Sequence, residues 1–133
     1  MMTLSLLTPQ KKLLENQTIE ELFAPGIEGT LNILDGHANF LTDLETGVLK
    51  WKSNGTWSAA AVSFGWLEVF GEKITVLADV AEVSSDIDIN RVKVAEKIAK
   101  QKIEEGGLDL SSFRKYELKL KRAMARNNAV DGL

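Results

Sequence analysis

Residues 73–105, KITVLADVAEVSSDIDINRVKVAEKIAKQKIEE, change their repeat halfway along. In Lys73–Ala78, the apolar Ile74, Val76 and Ala78 alternate with Lys73, Thr75 and Leu77, which gives a strand one apolar face. From Ile89 onward, Ile89, Val92, Ala95, Ala99 and Ile103 recur at three- and four-residue steps, the stripe of an amphipathic helix. The rule changes near Ser84-Ser85-Asp86. This predicts a β domain over residues 1–85 and a helical segment over 86–133.

Upstream of that join lie both prolines, all three tryptophans and seven of the ten glycines. Short strands are expected at Thr3–Leu7, Thr18–Ala24, Thr30–Leu34, Val48–Lys52, Thr56–Val62, Trp66–Phe70 and Lys73–Ala78. Pro25-Gly26, Asp35-Gly36, Ser53-Asn54-Gly55 and Gly71 separate them. Asn54-Gly55 is a strong hairpin signal, because both residues tolerate the positive φ of a type I′ turn. Many short strands with no helix between them predict an antiparallel sandwich.

Downstream, no glycine or proline interrupts Ile87–Glu105. Asp86 or Asp88 can cap the first helix, and Gly106-Gly107 ends it. A second helix follows, with Asp109, Ser111 or Ser112 as its cap and a stripe of Phe113, Tyr116, Leu120, Ala123 and Val130, broken by Asn127. Joined by so short a loop, the two form an antiparallel hairpin. Their stripes are narrow and rich in alanine, so the hairpin needs a surface to dock on. The expected fold class is α+β, an antiparallel β-sandwich followed by a two-helix hairpin.

Composition removes several kinds of function. The 133 residues include no cysteine and one histidine, His37, which excludes disulfides, thiolate metal sites and paired-histidine ligands. The N-terminus does not read as a signal peptide, and no apolar run is long enough to span a bilayer. Ala61-Val62-Ser63-Phe64-Gly65 misses the first glycine of a nucleophile elbow and falls between strands. His37 follows a turn, where bonding to the local backbone accounts for it. The net charge of −3 divides unevenly, −6 over residues 1–85 and +3 over 86–133. Within Ser111–Arg126 stand Arg114, Lys115, Lys119, Lys121, Arg122 and Arg126 with one acid, Glu117. Such a run is a solvated face or a dock for an acidic protein surface. Few aromatics interleave it and no recognition motif accompanies it, so nucleic acid is not expected as a partner.

Read in order, Pro25-Gly26-Ile27-Glu28-Gly29-Thr30-Leu31-Asn32-Ile33-Leu34-Asp35-Gly36-His37-Ala38, then Gly47-Val48-Leu49, Gly65-Trp66-Leu67-Glu68-Val69 and Lys73-Ile74-Thr75-Val76-Leu77-Ala78-Asp79, resemble one family. It is the epsilon subunit of bacterial and chloroplast F-type ATP synthases, whose first pattern is close to P-G-x-x-G-E-L-G-I-L-P-G-H-A. Thr30 replaces the usual glutamate, Asn32 a glycine and Asp35 a proline. The resemblance covers essentially the whole chain. It implies a non-catalytic rotor subunit of a proton-translocating synthase, peripheral on the cytoplasmic side of the cell inner membrane and not inserted in it.

On that resemblance, the sandwich binds the gamma subunit and the c ring, with Glu28, Thr30 and His37 on that side. Arg114, Lys115, Lys121 and Arg122 reach the alpha and beta catalytic subunits and restrain ATP hydrolysis. The family's I/L-D-x-x-R-A segment corresponds to Ile87-Asp88-Ile89-Asn90-Arg91-Val92, with Val92 in place of alanine and Ile98 where a further arginine is usual. No cofactor is required, but a regulatory ATP is implied on Glu82, Asp88, Arg91, Arg122 and Arg126. Capping alone also accounts for Asp88. The alternatives weighed are a stand-alone ATP-sensing protein, which would not co-purify with a large ATPase, and a hydrolase, which the missing motifs disfavour.

Overall fold

The computed structural model describes residues 1–131. Eight strands precede two helices: β1 Met2–Leu7, β2 Lys12–Ile19, β3 Glu21–Gly26, β4 Gly29–Leu34, β5 Phe40–Leu44, β6 Gly47–Ser53, β7 Thr56–Phe70, β8 Lys73–Val83, α1 Ile89–Glu105 and α2 Leu110–Asp131. The long strands β7 and β8 pair antiparallel along most of their length, from Ala60↔Val83 to Phe70↔Lys73. The first half of β7 also pairs β6, which pairs β3, which pairs β4. Its second half pairs β5, while the start of β8 pairs β1 in parallel and β1 pairs β2. Two layers therefore share two long strands. Between them Leu4, Leu6, Leu22, Ile33, Leu49, Trp51, Val62, Leu67, Ile74 and Val76 form the core.

The sharing works because β7 carries a kink. Ala60 and Val62 point into the core, and so do Leu67 and Val69, although the two pairs have opposite parity. Strict alternation would turn one pair outward. Phe64 at φ 52° and Gly65 at φ 152° absorb the change. A Cβ at Gly65 would overlap the Leu77 carbonyl oxygen, so only glycine fits there. The sequence reading divides this strand at the kink, into Thr56–Val62 and Trp66–Phe70; the chain runs through as one strand. It also joins what the structure separates: Thr18–Ala24 spans the corner at Glu20 between β2 and β3. The polar β2, with its run Glu15-Asn16-Gln17-Thr18 exposed, lacks the apolar bias that marks a strand by sequence, and β5 is only five residues long.

The helices begin and end where capping chemistry predicts. Asp88 accepts hydrogen bonds from the backbone N–H of Asn90 at 3.1 Å and Arg91 at 3.3 Å. Gly106, at φ 70°, ends α1. Asp109 accepts from Ser112 N–H at 2.7 Å, and those bonds hold its carboxyl below the usual aspartate range. α2 lies on the outer face of the β6–β7 layer, where Ala125 and Ala129 meet Ala59 and Ala61, with Val48 and Ile87 alongside. The predicted stripe contains Ala123 but not Ala125 and Ala129, because α2 is buried on two nearly opposite sides, Ala125 and Ala129 facing the sheet and Ala123 turned away from it.

Candidate functional site

Two polar contacts complete the docking of α2. Ser63, 3% exposed, is the one buried polar side chain among the described residues. Arg122 Nε donates to its Oγ at 2.9 Å, and Thr46 Oγ1 lies 2.8 Å from the same oxygen. The Arg122 guanidinium also sits 5.9 Å from the centre of the Phe64 ring. The kink that presents Phe64 outward thus supplies part of the seat for α2. One turn along, Arg126 Nε donates to Glu82 Oε1 at 3.1 Å, closing α2 onto the end of β8.

Between β8, the start of α1 and α2 lies a cleft of about 320 Å³, lined by Glu82, Asp86, Asp88, Arg91, Val92, Ala95 and Arg126. The short 3-10 helix Ser84–Asp86 joins β8 to α1, and Glu82 before it and the cap Asp88 after it line the same space. Four of the five residues expected to hold ATP, namely Glu82, Asp88, Arg91 and Arg126, therefore share one cleft. Arg122 lines the adjoining cleft, about 360 Å³, together with Ala95, Ile98, Ala99, Tyr116, Lys119 and Arg126. The sequence reading names Asp86 as a cap, Tyr116 as part of the apolar stripe and Lys119 as part of the basic run, and places none of them at these clefts. The signal for Lys119 was present in its spacing from Arg122 and Arg126, three and seven residues on, which puts all three on one helical face. Val92 is buried in the first turn of α1 and narrows the cleft wall.

The other expected site residues are dispersed. Arg114 and Lys121 line a third cleft, about 560 Å³, between α2 and the Glu45–Val48 turn. Lys115 Nζ stands 5.9 Å from the Tyr116 ring. Docked, the hairpin offers Arg114 and Lys121 on one side and turns Arg122 inward. Glu28 lies in the β3–β4 turn and Thr30 near the start of β4, whereas His37 follows the far end of that strand. All three are exposed. His37 Nδ1 lies 2.8 Å from the Ala38 carbonyl oxygen, and its ring packs 4.9 Å from that of Phe40. His37 is not among the hydrogen-bond partners of Ser63, so no nucleophile–base pair forms there. No helix among the described residues is long and apolar enough to cross a membrane.

Comparison with known proteins agrees with this architecture. The family model described as ATP synthase, Delta/Epsilon chain, beta-sandwich domain matches residues 1–84, and the long alpha-helix domain of the same chain matches residues 85–131. An ATP synthase epsilon chain of Geotalea daltonii is 40% identical over 121 residues, covering 91% of this chain and 87% of that one. Its counterpart in Symbiobacterium thermophilum is 33% identical over 132 residues, covering 99% and 94%. Among solved structures, a chain of the Euglena gracilis mitochondrial ATP synthase (OSCP/F1/c-ring) superposes with a TM-score of 0.84 at 19% identity, covering 97% of this chain and 81% of that one. A chain of the Tetrahymena thermophila mitochondrial ATP synthase central stalk and c-ring gives 0.62 at 19% identity, covering 97% and 96%. At that identity the two structures speak to fold.

Proposed function

The chain belongs to the ATP synthase delta/epsilon family and is a non-catalytic epsilon-type subunit; from this premise we propose that it turns with the central stalk and brakes ATP hydrolysis through its hairpin. The sandwich is the rigid part. It attaches to the gamma subunit and the c ring, with the exposed turns around Glu28–Thr30 and His37 as contact points. The complex is proton-translocating, and the subunit sits peripherally on the cytoplasmic side of the inner membrane.

The observation that carries the braking role is the character of the hairpin's seat. Alanine meets alanine there, and few polar contacts reinforce it, so α2 can leave the sheet without opening the sandwich core. Once released, its cations face outward and can pair with acidic surfaces of the alpha and beta subunits, an attraction that salt weakens. Replacing Arg114, Lys115, Lys121 and Arg122 with alanine in the assembled enzyme should raise ATP hydrolysis and leave assembly intact. Hydrolysis no faster than that of the wild type would remove the brake. Capture of the tagged chain without a stoichiometric ATPase would favour a free ATP sensor instead.

Regulatory ATP belongs to the same reading. Convergence of Glu82, Asp88, Arg91 and Arg126 on one cleft supports it. The guanidiniums would meet phosphate while the carboxylates accept from ribose or base. Because bound ATP would tie α1, α2 and β8 together, it would hold the hairpin docked and the brake off.

A further inference from the structure

Lys115, Lys119, Arg122 and Arg126 follow one another at steps of four, three and four residues, so they share one face of α2. Like charges at that spacing repel one another. Among the described residues, only Arg126 of the four has a carboxylate within ion-pair distance. Arg122 reaches a neutral hydroxyl, and Lys119 reaches an aromatic ring, its Nζ 5.4 Å from the centre of Tyr116. A face so charged and so little neutralised suits a polyanion.

The cleft beneath that face is shaped for one with an apolar part. The space around Asp88 and Arg91 and the space around Lys119 have Ala95 and Arg126 in common, so the two clefts adjoin along one trench divided by those residues. Carboxylates of Glu82, Asp86 and Asp88 line one end; Lys119 and Arg122 line the other, against Ile98 and Tyr116. This polarity matches a ligand with hydroxyl and amine donors at one end and phosphates toward the other. We propose that Lys119 is a phosphate-binding residue of this trench, with the phosphate chain of a nucleoside triphosphate running from Arg126 toward Lys119. The proposal rests on the nucleotide reading of the preceding subsection.

Calorimetry on the full chain, with ATP and separately with inorganic tripolyphosphate, tests it. Lys119 is exposed on a helix surface, so Lys119→Ala should keep its helicity by circular dichroism. The substitution should weaken both ligands about five- to tenfold, as expected for one charge-assisted contact at a partly solvated site. Lys119→Arg should stay within about twofold of wild type, and so should Lys97→Ala, which removes an exposed cation outside the trench. ATP binding that Lys119→Ala leaves within about twofold would overturn the proposal while the nucleotide reading stands. Lys119-dependent binding of tripolyphosphate without binding of ATP would support the cation row and remove the nucleotide. Absence of heat from either ligand at millimolar concentration would overturn both.

Discussion

The two halves of this chain are buried in different ways. The sandwich closes over leucine, isoleucine, valine and tryptophan side chains drawn from both of its layers, many of them fully buried. The hairpin rests two of its own alanines on two of the sheet, with Val48 and Ile87 alongside and a few polar links. Apolar burial stabilises roughly in proportion to the area removed from water, so a large side chain contributes several times what an alanine does. On that measure the first half should hold by itself, and the second should depend on what it rests against. A brake that must swap partners needs that contrast.

Attacking the sandwich core should have the largest effect. Leu22 is fully buried between the layers, and Leu22→Ala should cost about 2–5 kcal/mol, read from denaturant unfolding of the whole chain. A loss below about 1 kcal/mol would mean that the core repacks freely and the contrast is overstated. Ending the chain at Ser85 sharpens the same point from the other side. Every core residue of the sandwich is retained, so a cooperative melt close to that of the full chain is expected. A non-cooperative melt would make the hairpin part of the fold.

The polar seat of α2 comes next. A double-mutant cycle on Arg122→Ala and Ser63→Ala should give a coupling of about 1 kcal/mol, because one partner is charged but half-exposed. Additive losses would show that the hydrogen bond contributes nothing to docking. Asp88→Ala should then cost about 0.5–2 kcal/mol of α1 stability by removing the cap, seen as lost helicity with the β signal unchanged.

The smallest effect is one of pH. The Asp109 carboxyl titrates below its ordinary value of 3.8 because it accepts backbone and side-chain hydrogen bonds from Ser112. A depressed carboxylate stabilises the folded state fully above its unfolded pKa and loses that contribution as pH falls through the folded one. Helicity of α2 should therefore be flat above about pH 5 and decline slightly on acidification through the aspartate range. Asp109→Asn should abolish that acid-side change.

The same contrast explains what the sequence disclosed. Period and punctuation were sufficient for the β-to-helix join and the alternating Lys73–Ala78 face, because each is a local rule obeyed locally. They narrowed the caps to Asp86 or Asp88 and to Asp109, Ser111 or Ser112, among which the structure uses Asp88 and Asp109. The continuity of β7 was hidden, since Phe64 and Gly65 reverse its parity in a way that resembles a turn. β2 escaped notice because a strand stabilised by its pairing with β1 needs little apolar bias. Around the cleft, Glu82, Asp88 and Arg91 were legible through the family segment. The seat of Arg122 on Ser63 was not, since the two are 59 positions apart and neither is marked by its neighbours.

Native-state hydrogen exchange on the intact chain measures both regions at once, and it tests the account most directly. Amides of α1 and α2 should exchange through an opening well below the global unfolding free energy, while those of β1, β7 and β8 exchange only near it. Sandwich and hairpin amides that shared a single opening free energy would contradict the account: the hairpin would then be welded to the sandwich and unable to leave it as a brake must.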